Sequence, residues 1–127
     1  MKIFNTLSGK KENFVPIEDN KIKMYVCGMT VYDDTHIGHA RTFLSFDLIV
    51  RYLRSINYEV NYIRNITDVD DKIISRAEEL RMTPKELTEK YIDSMNDDFQ
   101  SLGMIEPDSE PRATDNIDSI ISLIEIL

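Results

Sequence analysis

The sequence predicts an α/β protein with a Rossmann-like parallel sheet and flanking helices. Three observations in a row support this fold class: a strand-like apolar run at residues 22–27, an amphipathic helical run at residues 37–56, and a second apolar run at residues 60–64. A strand, a helix and a strand in this order form a right-handed βαβ unit with parallel strands. With 127 residues, the chain is long enough to bury one core.

The elements before this unit are predicted to be short. Residues 3–7 form a strand that ends at Ser8 and Gly9, and a charged loop continues to Asn13. Pro16 keeps the apolar patch around it out of a central strand.

Three helices are predicted after the unit. The first covers residues 69–80. The second begins at Thr83 as N-cap, with Glu86 closing a capping box, and ends at Gly103. Thr114 is predicted to cap a last helix, which is still apolar at Leu127 and has no stop signal. This open end favours a fragment over a small natural domain.

Composition excludes several classes of protein. The net charge is −8, with 15 basic and 23 acidic residues and no long basic cluster, so the chain is not expected to bind RNA unaided. No apolar run approaches the ~20 residues of a membrane span, and no signal peptide is visible, so a cytoplasmic location without membrane contact is expected. One cysteine rules out an internal disulfide. There is no glycine-rich dinucleotide fingerprint or P-loop.

Residues whose side chains could bind a ligand or take part in catalysis cluster where the first strand of the unit passes into its helix. Cys27 ends the strand, Gly28 breaks it, and His36 and His39 lie at the helix start. A spacing of three brings both imidazoles to one helix face, at a helix N-terminus that favours anions. Gly38, without a Cβ, allows a ligand to approach the backbone. This pattern predicts a phosphate-handling site, although two histidines in a helical first turn can also be ordinary polar residues.

The same residues carry a resemblance to a known family. The tetrapeptide HIGH at residues 36–39 is the signature of class I aminoacyl-tRNA synthetases and related nucleotidyltransferases. In order and spacing, the wider chain resembles the N-terminal part of cysteinyl-tRNA synthetases, through the segments MYVCGMTVYD (24–33), ARTF (40–43), YIRNITDVDDKI (62–73) and EPRAT (110–114). Members of that family are far longer. The resemblance therefore implies that residues 1–127 are the N-terminal part of a catalytic nucleotide-binding domain, without its C-terminal half or the anticodon-binding region.

The resemblance implies a cysteine–tRNA ligase. The intact protein would use ATP with Mg²⁺ to convert L-cysteine to cysteinyl-adenylate and then transfer cysteine to tRNA(Cys), which the absent C-terminal part would bind. A monomer is expected, and the 127 residues alone are expected to be inactive. Alternatives are the mycothiol-pathway cysteine ligase, which resembles the same catalytic domain, and a truncated paralogue without catalytic activity.

Roles for the histidine motif and its surroundings follow from the same resemblance. His36, Gly38 and His39 would bind ATP, and the two histidines would stabilise charge that develops at the α-phosphate. Arg41 could meet phosphate or tRNA, or serve only in packing. Cys27 would be one of four zinc ligands, the other three lying later in the family's chain, and Zn²⁺ would select a thiol over a hydroxyl. A small buried hydrophobe is the alternative for Cys27.

Substrate contacts are implied for residues that follow the two strands. Gly28, Thr30 and Thr67 would contact the cysteine substrate, and Asp68 would help to bind its ammonium group. Capping of the next helix is the alternative for Thr67 and Asp68. Asp70 and Asp71 are explained by the dipole of that helix.

Overall fold

The computed structural model describes all residues from 1 to 127. Its elements, in chain order, are β1 (Lys2–Asn5), β2 (Lys10–Asn13), β3 (Lys21–Val26), α1 (Ile37–Ser55), β4 (Glu59–Arg64), α2 (Asp71–Leu80), α3 (Pro84–Ser101), a single 3-10 turn (Thr114–Asn116) and α4 (Ile117–Ile126). The α/β class is confirmed, although the parallel sheet is small. No helix is both long and apolar enough to cross a membrane.

The predicted βαβ unit is present. β3 and β4 are parallel and in register from Lys21 opposite Glu59 to Val26 opposite Arg64. The two strands alternate between exposed and buried positions, because successive strand residues point to opposite faces. The connecting helix α1 buries Phe43, Asp47, Val50 and Leu53, a spacing of three and four residues that places one helix face on the core.

Residues 108–113 form an extended segment, the edge segment, which runs parallel to β4 on the edge away from β3. Isolated bridges join Ile63 to Ser109 and Ile66 to Arg112. The Ile66 N–H donates to the carbonyl of Pro111 at 2.9 Å. Pro111 lacks an N–H, and such a residue is tolerated at the edge of a sheet, where no further strand needs that donor.

The core is built by both strands of the unit and the helices α1, α2 and α3. One charged pair lies at its margin. The Arg64 guanidinium is almost fully buried, forms an ion pair with Glu110, and lies 5.3 and 4.8 Å from the ring centroids of Phe43 and Phe99. Arg64 therefore connects β4 to the edge segment, α1 and α3.

Three element predictions were wrong. The charged stretch at residues 10–13 is a strand, paired antiparallel with β1, and its four residues are all exposed. A strand held by backbone hydrogen bonds alone has no hydrophobic pattern to reveal it. Helix α2 begins at Asp71 and not at residue 69. Thr114 does not cap α4, because it lies in the preceding 3-10 turn and the N-cap position of α4 is Asn116, which makes no side-chain cap; the hydroxyl and N–H of Thr114 donate to Asp68 instead. The Thr83–Glu86 capping box of α3 is confirmed.

Candidate functional site

The loops that follow β3 and β4 are joined directly to each other. The Gly28 N–H donates to Asn65 Oδ1 at 2.8 Å. Thr30 and Thr67 form an isolated parallel bridge, in which the Val31 N–H donates to the Thr67 carbonyl at 3.2 Å. A Cβ on Gly28 would lie 1.6 Å from the carbonyl oxygen of Asn65. The glycine is therefore required by the close approach of two backbones, at the edge of the sheet where parallel strands commonly form a ligand crevice.

The two histidines cap helix α1 with their side chains. His36 is the N-cap residue, and its Nδ1 accepts from the Gly38 N–H at 3.0 Å, while Nδ1 of His39 accepts from the His36 N–H at 3.3 Å. The rings are stacked, with centroids 3.8 Å apart and an angle of 16° between planes. Since each Nδ1 is an acceptor, each neutral ring carries its proton on Nε2. Two Nε2–H donors thus remain for a ligand at the start of a helix.

The environment of His39 favours the neutral form of its imidazole. Partial burial is the largest cause and the neighbouring His36 the second, and both lower the pKa of His39 below its ordinary value of 6.5. Protonation at Nδ1 would also remove the acceptor that caps α1. The neutral donor form is therefore favoured near pH 7.

Gly38 has a structural reason that the sequence did not reveal. A Cβ at this position would lie 2.8 Å from Cε1 and 2.9 Å from Nδ1 of His36. The ring of His36 thus occupies the space next to Gly38 that was predicted to admit a ligand. The glycine allows the imidazole cap and the stacked pair to form.

One cavity of about 310 Å³ lies between the end of β3, the start of α1 and the start of α2. It brings together four of the predicted site residues: Cys27, Gly28, Thr30 and His39. Tyr32, Thr42, Phe43, Lys72 and Met29 complete the lining. Cys27 is a free and exposed thiol, which excludes the buried-hydrophobe alternative for this residue.

Other predicted residues lie outside this lining. His36 reaches the cavity only through its stacking on His39, and Thr67 is engaged through its backbone. Asp68 is buried, accepts from both the N–H and the hydroxyl of Thr114, and lines a separate cavity. The capping alternative for Thr67 and Asp68 is wrong, because the side chain of Asp70 caps α2 by accepting from the Lys72 N–H at 2.9 Å.

The metal prediction finds one donor in this chain. No group of three or more histidine, cysteine, aspartate or glutamate side chains is arranged to hold a metal ion in residues 1–127. A structural or catalytic zinc site needs at least three protein ligands. These residues by themselves do not fit Zn²⁺, and Cys27 stays a predicted contributor to a site completed from elsewhere.

Sequence reasoning missed the contacts that hold the loop of residues 32–36, which leads into helix α1 and is called the histidine loop below. The Thr35 hydroxyl donates to Asp98, the Ser94 hydroxyl donates to Asp34 at 3.1 Å, and Asp33 forms an ion pair with Arg76. The partners in these three contacts are separated by 43 to 63 residues in the sequence. No local pattern signals pairs at such a distance. Lys72 and Tyr32 in the cavity lining were missed as well.

Comparison with known proteins is consistent with this geometry. Residues 13–127 match the family model described as "tRNA synthetases class I (C) catalytic domain". The chain belongs to this family. Its relatives include proteins named cysteine–tRNA ligase from Proteus mirabilis, at 58% identity over 127 residues, from Shewanella piezotolerans, at 59% over 127 residues, and from Haemophilus influenzae, at 56% over 127 residues.

This class I synthetase chain covers only part of those relatives. All of its residues align, yet they span 27% of the Proteus protein and 28% of the Shewanella and Haemophilus proteins. In each case the aligned segment covers the residues of this chain that form the paired loops, the histidine cap and the cavity described above.

Proposed function

We propose that the longest natural polypeptide containing residues 1–127 is a cysteine–tRNA ligase, which activates L-cysteine with ATP and transfers it to tRNA(Cys). The names of its relatives support the substrate class. The observation that carries the proposal is that the Cys27 thiol and the His39 imidazole line the same cavity. The thiol at the end of the strand would lie next to the amino acid, and the neutral imidazole donor at the start of the helix would lie next to the phosphate.

In the proposed first step, a carboxylate oxygen of cysteine bonds to the α-phosphorus of ATP. The bond from that phosphorus to the bridging oxygen breaks, and pyrophosphate leaves with that oxygen and its electron pair. Negative charge builds on the non-bridging α-phosphate oxygens. We assign the donors to these oxygens as the Nε2–H of His39, which lines the cavity, and that of His36, which stacks on it; each such donor is worth roughly 3 kcal/mol in the transition state. Mg²⁺ enters as the counterion of the nucleotide.

Substrate contacts are assigned from the paired loops. Gly28 and Thr30 line the cavity next to Cys27 and are proposed to hold the amino acid. Thr67 supports Thr30 from the neighbouring loop. Asp68 is assigned to the edge segment through Thr114, and not to the substrate ammonium. Cys27 is proposed as one zinc ligand in the intact protein, where a bound zinc would favour a thiol substrate over serine.

The test is amino-acid-dependent ATP–pyrophosphate exchange, followed by charging of tRNA(Cys), with the longest natural polypeptide. Exchange is expected with cysteine and not with serine. His36→Asn is expected to reduce kcat by about 100- to 1,000-fold. Asparagine is a good N-cap, so the fold of α1 should survive this change.

Residues 1–127 alone serve as the comparison and are expected to give no exchange. Exchange that depends on a different amino acid would refute the proposed function. A rate of cysteine-dependent exchange from residues 1–127 that equals that of the longest polypeptide would refute the need for further chain.

A further inference from the structure

The cavity at the end of β3 has an unusual charge for this chain. The protein carries 23 acidic residues and a net charge of −8. None of the acidic residues lines this cavity, and the only lining residue with a fixed formal charge is Lys72. A cavity with one cation and no carboxylate favours an anionic ligand.

The ammonium group of Lys72 is not neutralised by the protein. It forms no ion pair within 4.0 Å, whereas Lys21 and Lys23 both pair with Glu18. Asp70 accepts from the backbone N–H of Lys72 as the cap of α2, and Asp71 lies in the first turn of that helix, but neither carboxylate comes within 4.0 Å of the Lys72 ammonium group. Lys72 also lines an adjoining cavity with Asp33, Asp71 and Glu79, but Asp33 and Glu79 pair with Arg76 and none of the three pairs with Lys72. The charge of Lys72 is therefore available to a ligand.

An aromatic ring holds this ammonium beside the cavity. The Nζ of Lys72 lies 5.6 Å from the ring centroid of Tyr32, which also lines the cavity. A cation over an aromatic face is attracted to it without losing its net charge. Tyr32 and Lys72 thus form one side of the cavity whose lining also contains Cys27 and His39.

We propose that Lys72 binds an oxyanion of the substrates, either the carboxylate of the amino acid or a phosphate oxygen of the nucleotide. This inference rests on the proposed function, because both substrates of adenylate formation carry such groups. Lys72 comes from the start of α2 and His39 from the start of α1, so the two strand ends of the βαβ unit each supply one donor to the anion. Lysine acts here as a mobile point charge.

The test uses the longest natural polypeptide with Lys72→Met and Lys72→Arg. The matched control is Lys90→Met, because Lys90 is also exposed and its Nζ lies 4.9 Å from the centroid of an aromatic ring, that of Tyr91, but it does not line the cavity. ATP–pyrophosphate exchange is measured at varied cysteine and varied ATP, and thermal unfolding is recorded for each variant.

Lys72→Met is expected to lower kcat/KM by about tenfold or more, as for loss of a hydrogen bond to a charged group. Lys72→Arg should restore most of the activity, and Lys90→Met should match the wild type. A rise confined to the KM for cysteine identifies the carboxylate. A rise confined to the KM for ATP, or a fall in kcat alone, identifies a phosphate oxygen.

Two results would overturn the inference while leaving the proposed function in place. One is a Lys72→Met variant whose kcat, KM for cysteine and KM for ATP are all within twofold of those of an active wild type. The other is a Lys72→Arg variant as impaired as Lys72→Met, which would mean that the positive charge is not what matters. A wild type without cysteine-dependent exchange would refute the proposed function and this inference together.

Discussion

Among the four glycines of this chain, Gly28 is the one at which an added methyl group meets the closest backbone contact, so Gly28→Ala should be strongly destabilising. The new Cβ would lie 1.6 Å from the Asn65 carbonyl oxygen and 2.8 Å from its carbonyl carbon. Both are backbone atoms, so no side-chain rotation relieves the contact. The two loops would have to separate by roughly 1.9 Å to reach an ordinary contact distance of about 3.5 Å.

The cost follows from what such a separation breaks. Overpacking of this kind costs about 1–3 kcal/mol. The hydrogen bond from Gly28 to Asn65 and the two that link Met29 and Val31 to Thr67 would be strained or lost, at about 1 kcal/mol each. A total of about 4–6 kcal/mol is a large part of the roughly 5–15 kcal/mol by which a domain is stable.

The assay is denaturant unfolding of residues 1–127, followed by circular dichroism. Gly38→Ala is the matched control, since its Cβ would meet only the movable ring of His36. Its stability should change by less than about 1 kcal/mol, because alanine's better helix propensity offsets a weakened cap. A Gly28→Ala protein with the unfolding midpoint of the wild type would refute the backbone-contact argument.

Three further predictions concern a buried charge, a histidine and a loop anchor. Glu110→Gln should destabilise the protein by about 3 kcal/mol, measured by denaturant unfolding, because it leaves the buried Arg64 without its partner; a loss below about 1 kcal/mol would contradict this. The lowered pKa of His39, caused first by partial burial, means that the unfolded chain binds more protons just below pH 6.5. Unfolding free energy should therefore fall as pH drops through this window, and His39→Asn should weaken that dependence. Asp98→Ala removes the acceptor of the Thr35 hydroxyl and should speed amide hydrogen exchange in the histidine loop, with little change in global stability.

The βαβ unit was predictable because its signals are local. Short apolar runs in the sequence mark β3 and β4, and apolar residues spaced three and four apart mark α1. The cap of α3 was predictable for the same reason, since Thr83 and Glu86 are three residues apart. The hairpin of β1 and β2 was missed at its second strand, where no residue is buried and the pairing is made by the backbone.

Some features of the candidate site were likewise predictable from the local sequence, and others were not. The proximity of His36 and His39 follows from helical geometry, but the imidazole cap that uses both Nδ1 atoms was not expected from their spacing. The roles of Asp68 and Lys72 depended on distant partners. Thr114 lies 46 residues from Asp68, and Tyr32 lies on a loop of another strand from Lys72. Two polar residues so far apart leave no periodic pattern.

The sequence by itself determined the fold class, the helix start that carries both histidines, and the resemblance that led to the synthetase family. Each of these depends on residues within one or two helical turns or on a contiguous motif. Only the tertiary structure decided that Cys27 and His39 share a cavity, that Asp68 is held by Thr114, and that Lys72 leaves its charge free. Such outcomes depend on how loops from separate strands meet, and that geometry exists only after the chain has folded.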